Sequence, residues 1–485
     1  MKNAISIIAK NTIFILLSKF IDPLISLLLV ISIARLLGVN GLGQYSFVKA
    51  TFTIFLVIST LGLEQLITRD VAKNKQAAAL YLINLGVLNI IFSIVMAVSM
   101  SLFVYFSHYP PEVVTASIIM SSALIAASFS NSIHAVFGAF ERFEFNAMLI
   151  SGENIVRVMA AVIALLLGGG LVTVIVIITA TRFLGSIMGL FLIHKKIIPL
   201  KWYFDFRFLW RQIKAVPTFS LISIFSVIYW RLDVIMLSKF CGMTEVGIYS
   251  AAFRIMEIIK AIPLSVKQAL FPVKARKFAS DKSILSSLAN RSIKYLMIIL
   301  LPIAMMITLV AHKLMLLFYG NQFQAGAVVL QILIWTIVPY GIAMMLANVL
   351  VTSGNQRIDL WANIFGVAAN LMLNLVLIPR MGVIGASLAT LISIFCFVGF
   401  QILFVRRLLF SLSYRHIFAR PLLAVMLMAG TGYFVRNWSL AAIIILVSAI
   451  YLLLLNLLHV LTTADWRLLP KVSKDMKELL FKSPG

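Results

Sequence analysis

Acidic residues are scarce in this chain. Its 485 residues include 16 Asp and Glu against 41 Lys and Arg, and all four types together make up only 12% of the sequence. Soluble domains carry about a quarter charged residues, so this low share excludes an ordinary soluble domain. The formal net charge of +25 would favour nucleic-acid binding in a soluble protein. In a membrane protein the same charge is explained by basic residues on the cytoplasmic side, and the positions of the charges distinguish these two interpretations.

Residues that build metal, redox or nucleophilic sites are also few. The two cysteines, Cys241 and Cys396, form neither a CxxC motif nor a disulfide framework. The six histidines are scattered, and no Walker motif or GxSxG motif is present. We therefore expect a protein without metal or cofactor, and one that is not an enzyme.

Long apolar runs, in contrast, are abundant. Hydrophobic residues make up 62% of the chain, and the mean hydropathy is +1.06. Runs long enough to cross about 30 Å of hydrocarbon predict an all-α integral membrane protein with about fourteen transmembrane helices, because lipid leaves no hydrogen-bond partners for open strands. The predicted spans are 12–36, 41–66, 78–106, 113–136, 148–167, 171–193, 215–238, 245–270, 293–318, 326–351, 358–378, 383–405, 420–436 and 439–461.

The basic residues between these spans are distributed unevenly. If the N-terminus is cytoplasmic, 29 Lys and Arg lie in inner segments and only Arg35, Lys239, Arg380 and Arg436 lie in outer ones. This asymmetry predicts that both termini are cytoplasmic. It accounts for much of the positive charge without nucleic acid. The outer connections are short, so no catalytic domain is expected there.

An internal repeat is visible in a glycine-containing motif. The first copy is RLLGVNGLGQYS at 35–46, and the second is KFCGMTEVGIYS at 239–250. Each copy joins two predicted spans, so we interpret it as a tight turn rather than a phosphate loop. The identical positions, with their partners 204 residues later, are Gly38 and Gly242, Gly43 and Gly247, Tyr45 and Tyr249, and Ser46 and Ser250.

A second echo pairs FGAFERFEFNAMLI at 137–150 with TSGNQRIDLWANIF at 352–365. The chain is thereby predicted to contain two parallel six-helix repeats, an N-terminal lobe at 1–200 and a C-terminal lobe at 201–410, followed by an extra helix pair and cytoplasmic tail at 411–485. Transporters built from such repeats carry their substrate site between the halves, near the bilayer midplane.

Two stretches of the second half resemble a known family. They are RLDVIMLSKFCGMTEVGIYSAAFRIMEI at 231–258 and NLMLNLVLIPRMGVIGASLATLIS at 370–393. Both are similar to the polysaccharide-transporter branch of the MOP superfamily, which also holds MATE exporters and lipid II flippases, and the resemblance is greatest to O-antigen flippases of the Wzx type. It implies alternating-access movement of an undecaprenyl-diphosphate-linked oligosaccharide from the cytoplasmic to the periplasmic leaflet of the bacterial inner membrane. In the lipid II flippase the extra helix pair helps to form a groove for the lipid tail.

Charged residues inside predicted spans are expensive, and each is therefore a functional candidate. Arginine offers a permanently charged planar fork for phosphate oxygens, so the basic residues are predicted to line a path for the diphosphate and glycan. The acidic residues are predicted to bind a coupling ion, a proton or sodium, without a choice among them. The basic candidates are Lys19, Lys49, Arg157, Arg182, Arg231, Arg254 and Lys260; the acidic ones are Asp22, Glu64, Glu153, Asp233 and Glu257.

Helical spacing predicts that some of these charges pair with one another. Glu153 and Arg157 are four residues apart, and Arg254 and Glu257 are three apart. Arg182 and Arg231 have no acid one turn away. Two interpretations remain for each pair: the two charges only neutralise each other, or a residue of the pair binds substrate.

Other functions remain open at this point. A MATE-type organic cation antiporter would share the fold but favour an acidic cavity. A membrane polysaccharide polymerase or ligase would require a large outer loop. The expected partners are the lipid-linked oligosaccharide, membrane lipids, a coupling ion, and a polysaccharide polymerase and glycosyltransferases; nucleic acid is not expected.

Overall fold

The computed structural model describes residues 22–60, 62–199, 204–213, 217–267, 282–413, 415–458 and 460. All regular secondary structure of these described residues is helical. The main helices are α1 (22–36), α2 (Gly38–Thr60), α3 (Leu63–Lys73), α4 (Ala78–Phe106), α5 (Pro111–Ala139), α6 (Phe143–Leu166), α7 (Leu171–Lys196), α8 (Phe206–Ile213), α9 (Pro217–Phe240), α10 (Met243–Ile259), α11 (261–267), α12 (Lys282–Tyr319), α13 (Gly326–Leu333), α14 (Ile337–Thr352), α15 (Gln356–Leu408), α16 (Arg420–Phe434) and α17 (Leu440–Leu457).

Eleven described helices are long and apolar enough to cross a membrane. One of them, α15, has 53 residues and changes direction at Gly382, where φ is 56° and ψ is −131°, so it supplies two predicted spans. The predicted span 245–270 is described up to residue 267, where it consists of α10 and α11. The first predicted span, 12–36, is described only from residue 22. The all-α membrane architecture predicted from hydropathy is therefore confirmed.

The end of the second predicted span differs from the expectation. The sequence predicts one apolar run over 41–66, but α2 ends at Thr60 and α3 begins at Leu63 after Gly62, which has a φ of 67°. Residues of α3 are mostly polar on one side and buried on the other, where Leu63, Ile67 and Val71 pack into the core. Glu64 therefore lies in the first turn of a short separate helix and not inside a membrane-crossing one.

The described residues fall into two compact units. The N-terminal unit contains the described residues of 22–251 and 374–383, and the C-terminal unit contains the described residues of 252–373 and 384–460. The lobes at 1–200 and 201–410, defined from the sequence repeat, stay a prediction.

The N-terminal unit is organised around α5. This helix is rich in Ala and Ser, and small side chains allow neighbouring helices to approach closely in a membrane. Its serine hydroxyls bond to other helices: Ser128 to Ser59 of α2 at 2.8 Å and Ser130 to Ser186 of α7 at 2.7 Å. These paired hydroxyls satisfy polar groups that would otherwise be buried without partners.

The C-terminal unit packs α14 and α16 against the long helix α12. The final helix, α17, buries one stripe with a spacing of four residues, consisting of Ile443, Val447, Tyr451 and Leu455. The Tyr451 hydroxyl in this stripe donates to the backbone carbonyl of Ile298 at 2.8 Å. The rest of the α17 surface is apolar and exposed, as for Leu457, and is suited to contact with lipid.

The repeated glycine motif has the same role in both copies. Gly38 and Gly242 have positive φ angles, 72° and 88°, and each directly precedes or begins a helix. A Cβ atom on Gly43 would lie 1.8 Å from the carbonyl oxygen of Met243, and a Cβ on Gly247 would lie 2.0 Å from that of Val39. Since Met243 follows Val39 by the same 204 residues, the two motifs pack against each other reciprocally, backbone to backbone.

Replacing Gly43 or Gly247 by Ala is expected to destabilise the protein by about 1–3 kcal/mol, because the added methyl group forces α2 and α10 apart. The thermal unfolding midpoint in detergent measures the effect. Gly430→Ala is the matched control, since a Cβ at that helical position meets no atom within 4 Å. A Gly43→Ala variant as stable as the control would contradict the close helix crossing.

Candidate functional site

Two arginines of the N-terminal unit share one carboxylate near the middle of their helices. Arg157 Nη1 lies 3.0 Å from Glu153 Oε1, one turn away on α6, and Arg182 Nη1 of α7 lies 3.2 Å from the same oxygen. The Glu153 side chain is only 8% exposed, and the Arg182 side chain is 32% exposed. The predicted pair of Glu153 and Arg157 is present, and Arg182, for which the sequence indicated no acid, joins it from the neighbouring helix. The three residues carry one net positive charge.

Asn154 fixes this group in place. Its Oδ1 accepts a hydrogen bond of 2.6 Å from Arg157 Nη2, and its Nδ2 donates to the backbone carbonyl of Asp22 at 3.1 Å. Ser26 Oγ donates to the same Oδ1 at 3.3 Å. Asn154 is almost completely buried, and it links α6 to α1. The Asp22 carboxylate lies close enough to act electrostatically on Arg157, although the arginine's main ionic partner is Glu153.

Lys49 extends the basic group towards the glycine motif. Its Nζ lies 5.8 Å from the centre of the Tyr45 ring, and Tyr45 also lies near Arg157. The structure thus brings Lys49, Arg157 and Arg182 into one neighbourhood of the N-terminal unit. We call Glu153, Arg157 and Arg182, with Asn154, the arginine cluster.

Asp233 is the most deeply buried of the predicted acidic residues that the structure describes, with 1% exposure. Both of its oxygens accept short hydrogen bonds, one from the Tyr249 hydroxyl and one from Asn374 Nδ2, each 2.6 Å long. These contacts join α9, α10 and α15. Tyr249 is the second copy of the motif tyrosine, so each copy of this tyrosine lies close to a charged residue. Arg231, two residues earlier on α9, is half-buried.

The C-terminal unit holds the remaining predicted charges. Arg254 Nη1 lies 2.7 Å from Glu257 Oε2, as the three-residue spacing predicts. Lys260 lies between two aromatic rings, with its Nζ 5.0 Å from the centre of Tyr340 and 5.7 Å from that of Phe253. Arg254 therefore has a neutralising neighbour, and Lys260 has aromatic ones. Lys19 lies outside the described residues.

A buried acid in the C-terminal unit was missed in the sequence. Asp359 is 4% exposed, accepts a 2.8 Å hydrogen bond from Gln401 Nε2, and interacts electrostatically with Lys267. It is the second residue of the predicted span 358–378 and was not among the acidic candidates. Its partners lie 42 and 92 residues away, so local spacing carries no signal for the group.

Comparison with known proteins identifies the family. The profile of the family described as "Polysaccharide biosynthesis protein" matches residues 8–278, which is more than half of the chain. The chain belongs to this family. The MatE profile matches residues 219–376, so both profiles find the region that carries the second glycine motif.

Individual relatives agree with this assignment. The probable low-salt glycan biosynthesis flippase Agl15 of Haloferax volcanii is 26% identical over 172 residues, which cover 35% of this chain and 36% of the relative. The curated relatives that the chain matches are aligned over 35% to 37% of their own length.

Solved structures show the same fold over most of the chain. The lipid II flippase MurJ in an inward closed conformation matches with a TM-score of 0.77 and 16% identity, covering 92% of this chain and 97% of the other. An inward-facing MATE multidrug transporter matches with a TM-score of 0.65 and 15% identity, covering 80% and 95%. The predicted fold of the MOP superfamily is confirmed, and the chain is a multi-pass membrane protein of the polysaccharide biosynthesis family.

Tyr249→Phe is expected to destabilise the protein by about 1.5–3 kcal/mol, because it removes a donor to the buried carboxylate of Asp233. Chemical or thermal unfolding of the purified protein measures this change. Tyr105→Phe is the control, since the Tyr105 side chain is 65% exposed. Equal stability of the two variants would show that the Tyr249 hydroxyl does not support Asp233.

Proposed function

We propose that this protein is a flippase that carries a polyprenyl-diphosphate-linked oligosaccharide across the membrane. The carrier proposed here is undecaprenyl diphosphate, and the cargo is an O-antigen or a related surface polysaccharide repeat unit. The headgroup crosses by alternating access, along the buried basic residues, while the polyprenyl chain stays in lipid. The direction is from the cytoplasmic to the periplasmic leaflet of a bacterial inner membrane, with both termini cytoplasmic.

The observation that carries the proposal is the arginine cluster. An unbalanced guanidinium near the middle of a membrane helix is costly, and such residues are retained where they serve a substrate or ion path. Arg157 and Arg182 are held by one carboxylate. With Lys49 and Asp22 nearby, the neighbourhood has three basic and two acidic side chains and so keeps one net positive charge. Guanidinium groups bind phosphate oxygens through two parallel hydrogen bonds, which makes a diphosphate a fitting ligand.

The comparisons support the class of cargo. The family carries the description polysaccharide biosynthesis, one relative is named a probable glycan biosynthesis flippase, and one structure with this fold is a lipid II flippase. A glycan attached to a lipid is the cargo class common to these names. Glycosyltransferases that assemble it and a polymerase that uses it are the partners we propose.

Energy for export is proposed to come from the membrane potential and a coupling ion. Each negative charge that moves outward from a negative interior gains about 2.3 kcal/mol per 100 mV. Among the predicted acids, Asp233 is our candidate for the coupling proton or sodium ion, because its carboxylate is fully buried and accepts hydrogen bonds from the neutral side chains of Tyr249 and Asn374.

Depletion of the protein in a cell that makes the polysaccharide tests the function directly. We expect lipid-linked oligosaccharide to accumulate in the inner leaflet, measured by its resistance to an impermeant glycan-modifying reagent added outside. Re-expression should restore outer-leaflet delivery. Normal delivery in the depleted cell would rule the function out.

Arg182→Ala and Arg231→Ala are each expected to lower the export rate about tenfold or more, because a charge-assisted hydrogen bond contributes about 1.5–3 kcal/mol. Protein levels should be unchanged; Arg182→Ala in particular leaves Glu153 and Arg157 as a balanced pair. Arg436→Ala, at a predicted outer connection, is the control. Full activity of both variants would contradict a basic path through these residues.

A MATE-type cation antiporter is the second candidate, because the MatE profile matches residues 219–376. Cation binding at the centre of such a protein requires surplus negative charge, whereas the arginine cluster has surplus positive charge. Efflux of an organic cation such as ethidium from proteoliposomes distinguishes the two. If the protein is a flippase, we expect no ethidium efflux that depends on the protein.

A further inference from the structure

The carboxylate of Glu153 occupies the position between two guanidinium groups. Arg157 Nη1 and Arg182 Nη1 converge on the same atom, Glu153 Oε1, at 3.0 and 3.2 Å. Because both terminal nitrogens lie within 3.2 Å of one oxygen, a single anion at this position can contact both arginines. A carboxylate brings only one negative charge to this position, and the mutual repulsion of Arg157 and Arg182 is therefore only partly compensated.

The backbone of α7 is shaped to admit this carboxylate. A Cβ atom on Gly185 would lie 2.7 Å from Glu153 Oε2, so any larger residue at 185 displaces the carboxylate or the helix. Gly185 follows Arg182 by three residues and lies on the same face of α7. The same face thus supplies both the cation and the space for its counter-ion.

The salt bridge to Glu153 does not occupy all the hydrogen-bond donors of Arg182. Its Nε is buried and has no hydrogen-bond partner among the described residues, while about a third of its side chain remains exposed. Arg157, in contrast, has its second terminal nitrogen bonded to Asn154. Arg182 is therefore the arginine that can turn towards an entering anion, and Arg157 is the one held fixed.

We propose that Glu153 is a resident anion that the diphosphate of the cargo displaces, and that returns to both arginines when the cargo leaves. The inference rests on the proposed function, because it assigns the arginine cluster to the cargo diphosphate. It explains why an acid is retained in a path for an anion. Conduction requires sites that release their ligand, and an internal carboxylate lowers the affinity of Arg157 and Arg182 for an anion to a level that permits release. Glu153 is a positioning residue in this account.

The test compares Glu153→Gln with the wild-type protein, using undecaprenyl diphosphate as the probe and the thermal unfolding midpoint of the detergent-solubilised protein as the binding readout. Glutamine keeps the shape and removes the competing charge. We expect the apparent Kd to fall at least tenfold. We also expect the maximal rate of oligosaccharide transfer in proteoliposomes to fall, with a lower half-saturating cargo concentration, because release becomes slow.

Two further variants keep the outcome interpretable. Asp70→Asn makes the same charge change at an acid paired with the exposed Arg69, and it should behave as the wild type. Gly185→Ala displaces the Glu153 carboxylate without removing it, and should tighten binding in the same direction if Glu153→Gln is too unstable to purify.

The possible results separate the two proposals. If the wild type binds undecaprenyl diphosphate and both Glu153→Gln and Gly185→Ala bind it no more tightly, Glu153 is not a displaced anion. The flippase proposal would then remain intact. The cargo site itself would be overturned if the wild type did not bind undecaprenyl diphosphate and if Arg157→Ala and Arg182→Ala both kept the full rate of oligosaccharide transfer. Tighter binding with slower turnover supports the inference.

Discussion

The sharing of one carboxylate by two arginines is the interaction on which the functional account depends. Water is absent around a membrane-buried charge, so a guanidinium there needs either a counter-ion or a ligand. Glu153 supplies half of what Arg157 and Arg182 require. In the function proposed above, the remaining charge attracts the cargo anion, and the carboxylate already present allows the anion to leave again.

The surrounding structure holds these charges at fixed positions. Asn154 connects Arg157 to α1, and serine pairs tie α5 to α2 and α7. The reciprocal contact of Gly43 and Gly247 with opposing carbonyl groups brings α2 close to α10, and the motif tyrosines next to those glycines lie near Arg157 and Asp233. The glycine motif is thus a packing element that also orients polar groups.

The sequence alone predicted the all-α membrane fold well, because hydropathy is averaged over long segments. The pair formed by Glu153 and Arg157 was also predictable, since it depends on one helical turn. The salt bridge from Arg182 was not, because its partner lies 29 residues away on another helix. Asp359 was missed for the same reason. The break at Gly62 was hidden because apolar residues continue across it into α3.

Transfer of undecaprenyl-diphosphate-linked oligosaccharide in proteoliposomes under an imposed membrane potential is the most direct measurement of the central claim. If an anionic headgroup crosses past buried arginines, the initial rate should rise when the destination side is made positive, and fall when the potential is reversed. A protein-dependent transfer rate that is the same at both signs of the potential would contradict the movement of net negative charge. Absence of transfer at any potential would contradict the account as a whole.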